Sequence, residues 1–193
     1  LAALGSPALA LCFTQQPQTT AAGTNTAMKE TLLIKTSAME WAASPSPHVE
    51  RKRLYLAGPK EAGAVSSVVR YLPGASFHEH PHPQGEEIFV LEGTFSDHTG
   101  DYRAGTYLLN PEGFKHAPRS EEGCVIFVRL RQHPGPRSHA AVDYRSVPSR
   151  PLGEGVALKA LPSDGGDDDA TSVLLLAPGG PLPPPPPPAG RAR

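Results

Sequence analysis

Apolar and polar residues alternate with a period of two in several short runs along this chain, and glycine or proline closes most of them. That pattern predicts β-strands. Lys52–Leu56 is one, and Ala64–Leu72, rich in valine and ended by Pro73-Gly74, is a stronger one. Glu87–Leu91 follows and is closed by Glu92-Gly93; Thr94–Ser96 runs back, and Asp97–Asp101 turns around Gly100. Tyr102–Ala104 and Tyr107–Leu109 lie on either side of Gly105. Cys124–Leu130 is the longest apolar strand, with Cys124, Ile126, Val128 and Leu130 on one face. One helix is predicted, over Met28–Lys35. Many short strands with Gly and Pro punctuation predict an all-β fold, a small antiparallel barrel or jelly roll.

The ends of the chain read differently. Residues 1–27 contain no Asp, Glu, Lys, Arg or His, and Pro183–Pro188 favours an extended polyproline helix. Residues 1–38 are therefore expected to be disordered or a targeting remnant, since Leu1–Phe13 is apolar enough to have been part of a signal or transit segment. The barrel is expected over 39–148, and a Pro-rich disordered tail over 181–193. Between them, 149–180 reads as a truncated second repeat. Val156–Gly180 repeats the order seen in Val49–Ala75: polar strand, acidic or Gly-rich turn, Val/Leu strand, Pro-Gly. Coincidence between two ordinary hairpins explains the echo equally well. An isolated hairpin is marginal in water, so residues 156–177 should pack on the barrel, pair with another subunit or stay loose. Nothing after Gly180 supplies histidines for a second site.

Composition narrows the function classes. The chain has 193 residues, enough for one domain with a real core, and a formal net charge of -1. Its arginines form no basic stripe, so no nucleic-acid partner is expected. No stretch is long and apolar enough for a membrane span, and a soluble cytoplasmic or organellar protein is expected. Cys12 and Cys124 make neither a disulfide framework nor a thiolate zinc knuckle.

The chemistry lies in two runs. The first is Gly74, His80-Pro81-His82, Glu86 and Gly93; the second is Gly105, Pro111-Glu112-Gly113 and His116. His80 and His82 share a face on a strand, and Glu86 shares their parity unless Gln84-Gly85 bends the chain. His116 arrives from a separate turn. Three imidazoles and one carboxylate suit a first-row divalent ion, zinc or iron foremost and manganese or nickel also, with room for water or substrate. His78 reads as a neighbour of this set, Glu87 as solvated or salt-bridged, and His98, His133 and His139 as surface residues. Phe77, Phe89, Tyr107, Phe114 and Phe127 are candidates for an apolar lining, although each reads equally as barrel core. Cys124 reads as a small buried hydrophobe.

These two runs resemble the two motifs of the cupin superfamily, and Gly74–Leu130 more narrowly resembles the ChrR-type cupins, with coverage of about residues 39–131. Ser120 stands where the second motif often ends in Asn. The resemblance implies a cupin double-stranded β-helix with His80, His82, Glu86 and His116 as metal ligands. In anti-sigma members a helical zinc domain with a His and a Cys-x-x-Cys pair precedes the barrel. This sequence contains no such segment, so sigma-factor binding is not expected. The chain is also similar to stand-alone cupins of the acetylacetone-cleaving dioxygenase type. That implies an enzyme acting on a small diketone or enolate, with Glu86 able to serve as a base. The alternative is a non-catalytic zinc-binding sensor or structural module that regulates a protein partner. Cupin barrels often pair through edge strands, so a homodimer is expected.

Overall fold

The computed structural model describes residues 8–13, 34–133, 135–163 and 171–178. Among these the regular structure is almost wholly β, as the alternation predicts. The strands in chain order are β1 (Ala8–Phe13), β2 (Ala42–Ala43), β3 (Val49–Ala57), β4 (Ala64–Tyr71), β5 (Ala75–Ser76), β6 (His80–His82), β7 (Glu86–Asp97) and β8 (Gly100–Arg103). They continue with β9 (Thr106–Asn110), β10 (Phe114–His116), β11 (Arg119–Ser120), β12 (Cys124–Leu130), β13 (Ala140–Asp143), β14 (Arg150–Gly153), β15 (Val156–Ala160) and β16 (Thr171–Leu176). The helix expected over Met28–Lys35 lies outside the described residues except for its last two positions, which are not helical. The only helical turns among the described residues are 3-10, at Thr36–Ala38 and Tyr144–Ser146. No helix among them is long and apolar enough to cross a membrane.

The chain forms two compact units. The first, residues 33–143, is built on an antiparallel sheet in the order β13-β9-β7-β12-β4-β3-β2, while β6 and β10 pair separately. β8 and β11 extend from β7, and β5 pairs with β11. Its core joins Val49, Tyr71, Ile88, Val90, Phe95, Leu108, Cys124, Ile126 and Val128. Cys124, Ile126 and Val128 are buried on one face of β12, as their spacing predicts. Leu130 completes that row half-buried.

One strand departs from the sequence reading. The turn expected at Glu92-Gly93 is continuous strand inside the twelve-residue β7, next to a β-bulge at Leu91, where the register against β12 shifts between Val125 and Ile126. The strand beside the bulge needs glycine. Gly93 has φ 70°, and a Cβ there would lie 2.2 Å from the Gly123 carbonyl oxygen. The shift restores the apolar row after the polar pair Glu92-Gly93, so Phe95 and Val90 are both core residues.

The second unit brings β1 together with segments from Tyr144 onward. Its sheet runs β1-β16-β15-β14, with β15 and β16 forming the hairpin that the repeat-like pattern outlined. The hairpin is thus not isolated: β1 pairs along all of β16, from Ala8 opposite Leu176 to Phe13 opposite Thr171. Part of the segment read as a disordered start therefore supplies a strand. The Lys159 ammonium donates to the carbonyls of Tyr144 and Arg145, each at 3.1 Å.

Ile126→Ala should lower the unfolding free energy by about 2–5 kcal/mol, because it leaves a cavity in the packed row of β12. Gly93→Ala should destabilise by more than about 1 kcal/mol through backbone strain. Urea titrations followed by circular dichroism check both.

Candidate metal centre

Each candidate ligand is placed by backbone pairing. β6 and β10 run antiparallel with His116 opposite His80 and Phe114 opposite His82. The turn before β10 is pinned by the Gly113 N–H donating to the His82 carbonyl at 2.8 Å and Phe114 N–H to the Pro111 carbonyl at 3.0 Å. Between His82 and Glu86 the chain bends at Gly85, whose φ is 69°. A Cβ on Gly85 would sit 2.8 Å from the His133 carbonyl oxygen. That bend lets β7 begin at Glu86 with the carboxylate turned to the histidines.

Ligand-type nitrogens of His80, His82 and His116 lie within 4.8 Å of one another. His82 Nε2 and His116 Nε2 are 2.9 Å apart, and Glu86 Oε2 is 3.5 Å from both. Two imidazole nitrogens this close share at most one proton. Zinc–nitrogen bonds of about 2.0–2.1 Å put tetrahedral ligand atoms roughly 3.3 Å apart, so the spacing and the donor set fit a divalent ion. Second contacts fix the rings. His80 Nδ1 donates to the His78 carbonyl at 2.8 Å, and His116 Nδ1 donates to Asp97 Oδ2 at 2.9 Å. With Nδ1 as the donor, Nε2 carries the lone pair. The Asn110 amide donates to Glu86 Oε2 at 2.9 Å.

The electrostatics agree. Burial, and then the nearby His116, His80 and Arg131, hold the His82 pKa down to about 3, so its imidazole is neutral. Burial raises Glu86, against the opposing pull of His116 and the Asn110 hydrogen bond. Burial also works upward on Asp97, but hydrogen bonds from His116 and Thr99 outweigh it and bring the carboxyl to about 2. Asp97 therefore stays charged beside His116.

The site opens on a cavity of about 240 Å³. Its apolar wall includes Val65, Val69, Phe77, Phe95, Ile126 and Val128. Tyr71 also lines it, its phenol held well above the ordinary value by burial and by the charge of Glu86. The rings of Phe77 and Phe95 stand edge-on to Tyr71, at 5.7 and 5.9 Å.

Several side chains fall elsewhere than the sequence reading put them. Of the five aromatic residues named as lining, Phe77 lines the cavity. Phe89 and Tyr107 pair across β7 and β9 on the face opposite Glu86, and Phe127 takes that same parity on β12. Phe114 stacks on His139 and His98 instead. His133 is not a surface residue: it is 1% exposed, with Nε2 3.0 Å from Glu87 Oε2. Glu87 is buried and salt-bridged, to Arg129 at 2.7 Å, and it accepts a hydrogen bond from the Tyr107 hydroxyl. His98 and His139 are exposed, as expected. His78 is exposed and enters the site only through its carbonyl oxygen. Cys124 is a buried unpaired thiol, raised to about 11 by burial against a hydrogen bond to Ser120. Asp97 and Asn110 were missed because each acts across strands. Tyr71 was within reach, since it shares parity with Val65, Ser67 and Val69.

The description "ChrR Cupin-like domain" matches residues 29–134. No curated protein sequence matches the chain. Among solved structures, the anti-sigma ChrR of Rhodobacter sphaeroides, in complex with SigE, aligns with a TM-score of 0.43 at 21% identity. That alignment covers 50% of this chain and 51% of ChrR, so the match spans about half of ChrR's length. An acetylacetone dioxygenase from Acinetobacter johnsonii aligns at 0.46 and 15% identity, over 58% of this chain and 80% of that one. A candidate glyoxylate-induced protein from Pseudomonas aeruginosa aligns at 0.53 and 12%, over 69% and 58%. This last likeness is one of fold.

One prediction concerns the metal-free protein. Between pH 6.5 and about 3 the unfolded chain takes up a proton at His82 that the folded chain refuses. This contribution to stability is therefore complete above pH 6.5 and is lost as pH falls toward 3. The urea midpoint should drop over that window, and His82→Asn should flatten the slope.

Proposed function

The chain belongs to the ChrR cupin-like family, and from that premise we propose that it holds a divalent metal through His80, His82, His116 and Glu86 and acts as a dioxygenase on a small diketone or enolate. What carries the reading is the convergence of three imidazoles within 4.8 Å, with a carboxylate 3.5 Å from two of them, beside an apolar cavity. Zinc or iron suits the donor set best, and manganese or nickel also fit. A bound iron ion would supply dioxygen activation, and zinc Lewis acidity alone.

The chain's own residues supply the rest. Phe77, Phe95, Ile126 and Val128 exclude water from the substrate's carbon skeleton. Asp97 holds His116 in one tautomer through Nδ1, and the His78 carbonyl does the same for His80. Tyr71, kept protonated by burial, is a hydrogen-bond donor in the cavity wall for a substrate oxygen. Glu86 is the proposed base. Released from the metal, its carboxylate lies beside the cavity, where it can accept the acidic proton between two carbonyls.

Protein loaded with ferrous or zinc salts and desalted should hold one ion per chain by elemental analysis, and His80→Ala and His116→Ala should not. Asp97→Asn should weaken the metal by about 10–100-fold in a chelator competition. The iron-loaded protein should consume dioxygen one-to-one with loss of pentane-2,4-dione. Metal uptake unchanged in both alanine variants would overturn the site. Stoichiometric iron without oxygen uptake would point to the non-catalytic reading instead.

A further inference from the structure

The wall of the cavity carries charge that metal binding does not use. On β3 the alternation that buries Val49 turns Arg51 and Arg53 to the same face, opposite Val69 and Ser67 of β4. Both arginines line the cavity, as do Lys60, Arg131 and Glu61. Inward positions of a barrel strand are ordinarily apolar, because a charge held there loses hydration. Here two successive inward positions are guanidinium groups, with side chains only 21% and 22% exposed.

One carboxylate serves them both. Glu61, in the turn between β3 and β4, accepts a fork from Arg51 at 2.7 and 3.2 Å. Arg53 reaches the same carboxylate only at 3.4 Å, and its buried Nε has no hydrogen-bond partner. The opposite face of the same two strands shows a balanced alternative: Arg70 pairs with Glu50, one to one. Four cations therefore border the cavity against two carboxylates, and one of those, Glu86, belongs to the metal site, on a chain whose net charge is -1. Arg131, just beyond β12, takes a left-handed backbone at φ 59°, which a non-glycine residue adopts only at a cost.

We propose that Arg51 and Arg53 form a carboxylate-binding subsite in the cavity, that the substrate is a diketone or enolate bearing a carboxylate, and that Glu61 occupies this subsite until the substrate displaces it. The substrate class rests on the reading of the metal centre given above; the subsite does not. A guanidinium fork matches a carboxylate in plane, and Arg51 already holds one in that geometry. Glu61 is suited to leave: its side chain is 53% exposed and sits on a turn. The Arg51 hydrogen bond, more than anything else, holds its carboxyl below the usual range. It is therefore charged at neutral pH and competes directly with a substrate carboxylate. About 240 Å³ accommodates a molecule of a few carbons between the arginines and the histidines.

The test uses two probes on the zinc-loaded full chain, titrated by calorimetry. 4,6-Dioxoheptanoate and heptane-2,4-dione share one carbon skeleton and one diketone and differ by the terminal carboxylate. The acid should bind about tenfold tighter. In Arg53→Met the two probes should bind alike, and in Glu61→Gln the preference for the acid should widen several-fold. Equal affinity in the unaltered protein, or a preference that survives Arg53→Met, overturns the proposal. If neither diketone binds, the diketone reading falls and butanoate decides the subsite. Butanoate binding that is lost in Arg53→Met and strengthened in Glu61→Gln upholds it; binding indifferent to both overturns it.

Discussion

The antiparallel register between β6 and β10 decides whether this protein has a site at all. It sets His116 across from His80 and places Phe114, not Lys115, across from His82. Side chains alternate faces along a strand, so a slip of one residue would present Lys115 to the other imidazoles and turn His116 away. Two strands of three residues are too short to hold that register alone. The turn bonds from Gly113 and Phe114 and the bend at Gly85 fix the end at His82, and the Phe77 N–H donating to the Pro118 carbonyl at 2.9 Å fixes the end beyond His80 and His116. The imidazoles are thus gathered by backbone geometry, and the glycines are where that geometry becomes affordable.

Adjacent residues on β7 show how parity sorts chemistry. Glu86 faces the histidines and accepts from Asn110, while Glu87 faces the other way and meets Arg129, His133 and Tyr107. Both are buried carboxylates, at 5% and 3% exposure. Glu87 has a full cationic partner in the Arg129 guanidinium and is structural in character. Glu86 faces the three imidazoles and accepts one amide hydrogen bond, with no arginine or lysine against it among the described residues. The same sorting on β3 and β4 sends the balanced pair Glu50–Arg70 to one face and the surplus arginines to the other.

What could be read from the sequence followed the range over which each interaction acts. His80, His82 and Glu86 are local in sequence and tied by strand parity, so their grouping was legible, and His116 came with its turn. The strands Ala64–Tyr71 and Cys124–Leu130 were legible to within a residue because their apolar rows are unbroken. Asp97 and Asn110 were not, since no local pattern says which histidine or carboxylate lies across the sheet. The aromatic lining was misassigned for a related reason. Phe89, Tyr107 and Phe127 share a face, but that face is opposite Glu86, and aromatic character alone does not carry that information. His133 looked like a surface residue because its partner, Glu87, is forty-six positions earlier. Glu92-Gly93, next to the bulge at Leu91, resembled a turn because Gly93 has the positive φ that turns also use.

The pairing of β1 with β16 ties the order of folding to the order of synthesis. Every strand of the 33–143 unit has been made once the ribosome passes Asp143. The other sheet places Ala8 beside Leu176, so its first strand must wait, unpaired, for its last to emerge. Contacts this distant in sequence form slowly, and an apolar strand left waiting is open to other edges in the meantime. The barrel can therefore close while the remainder is still being translated, whereas Ala8–Phe13 needs shielding throughout that interval.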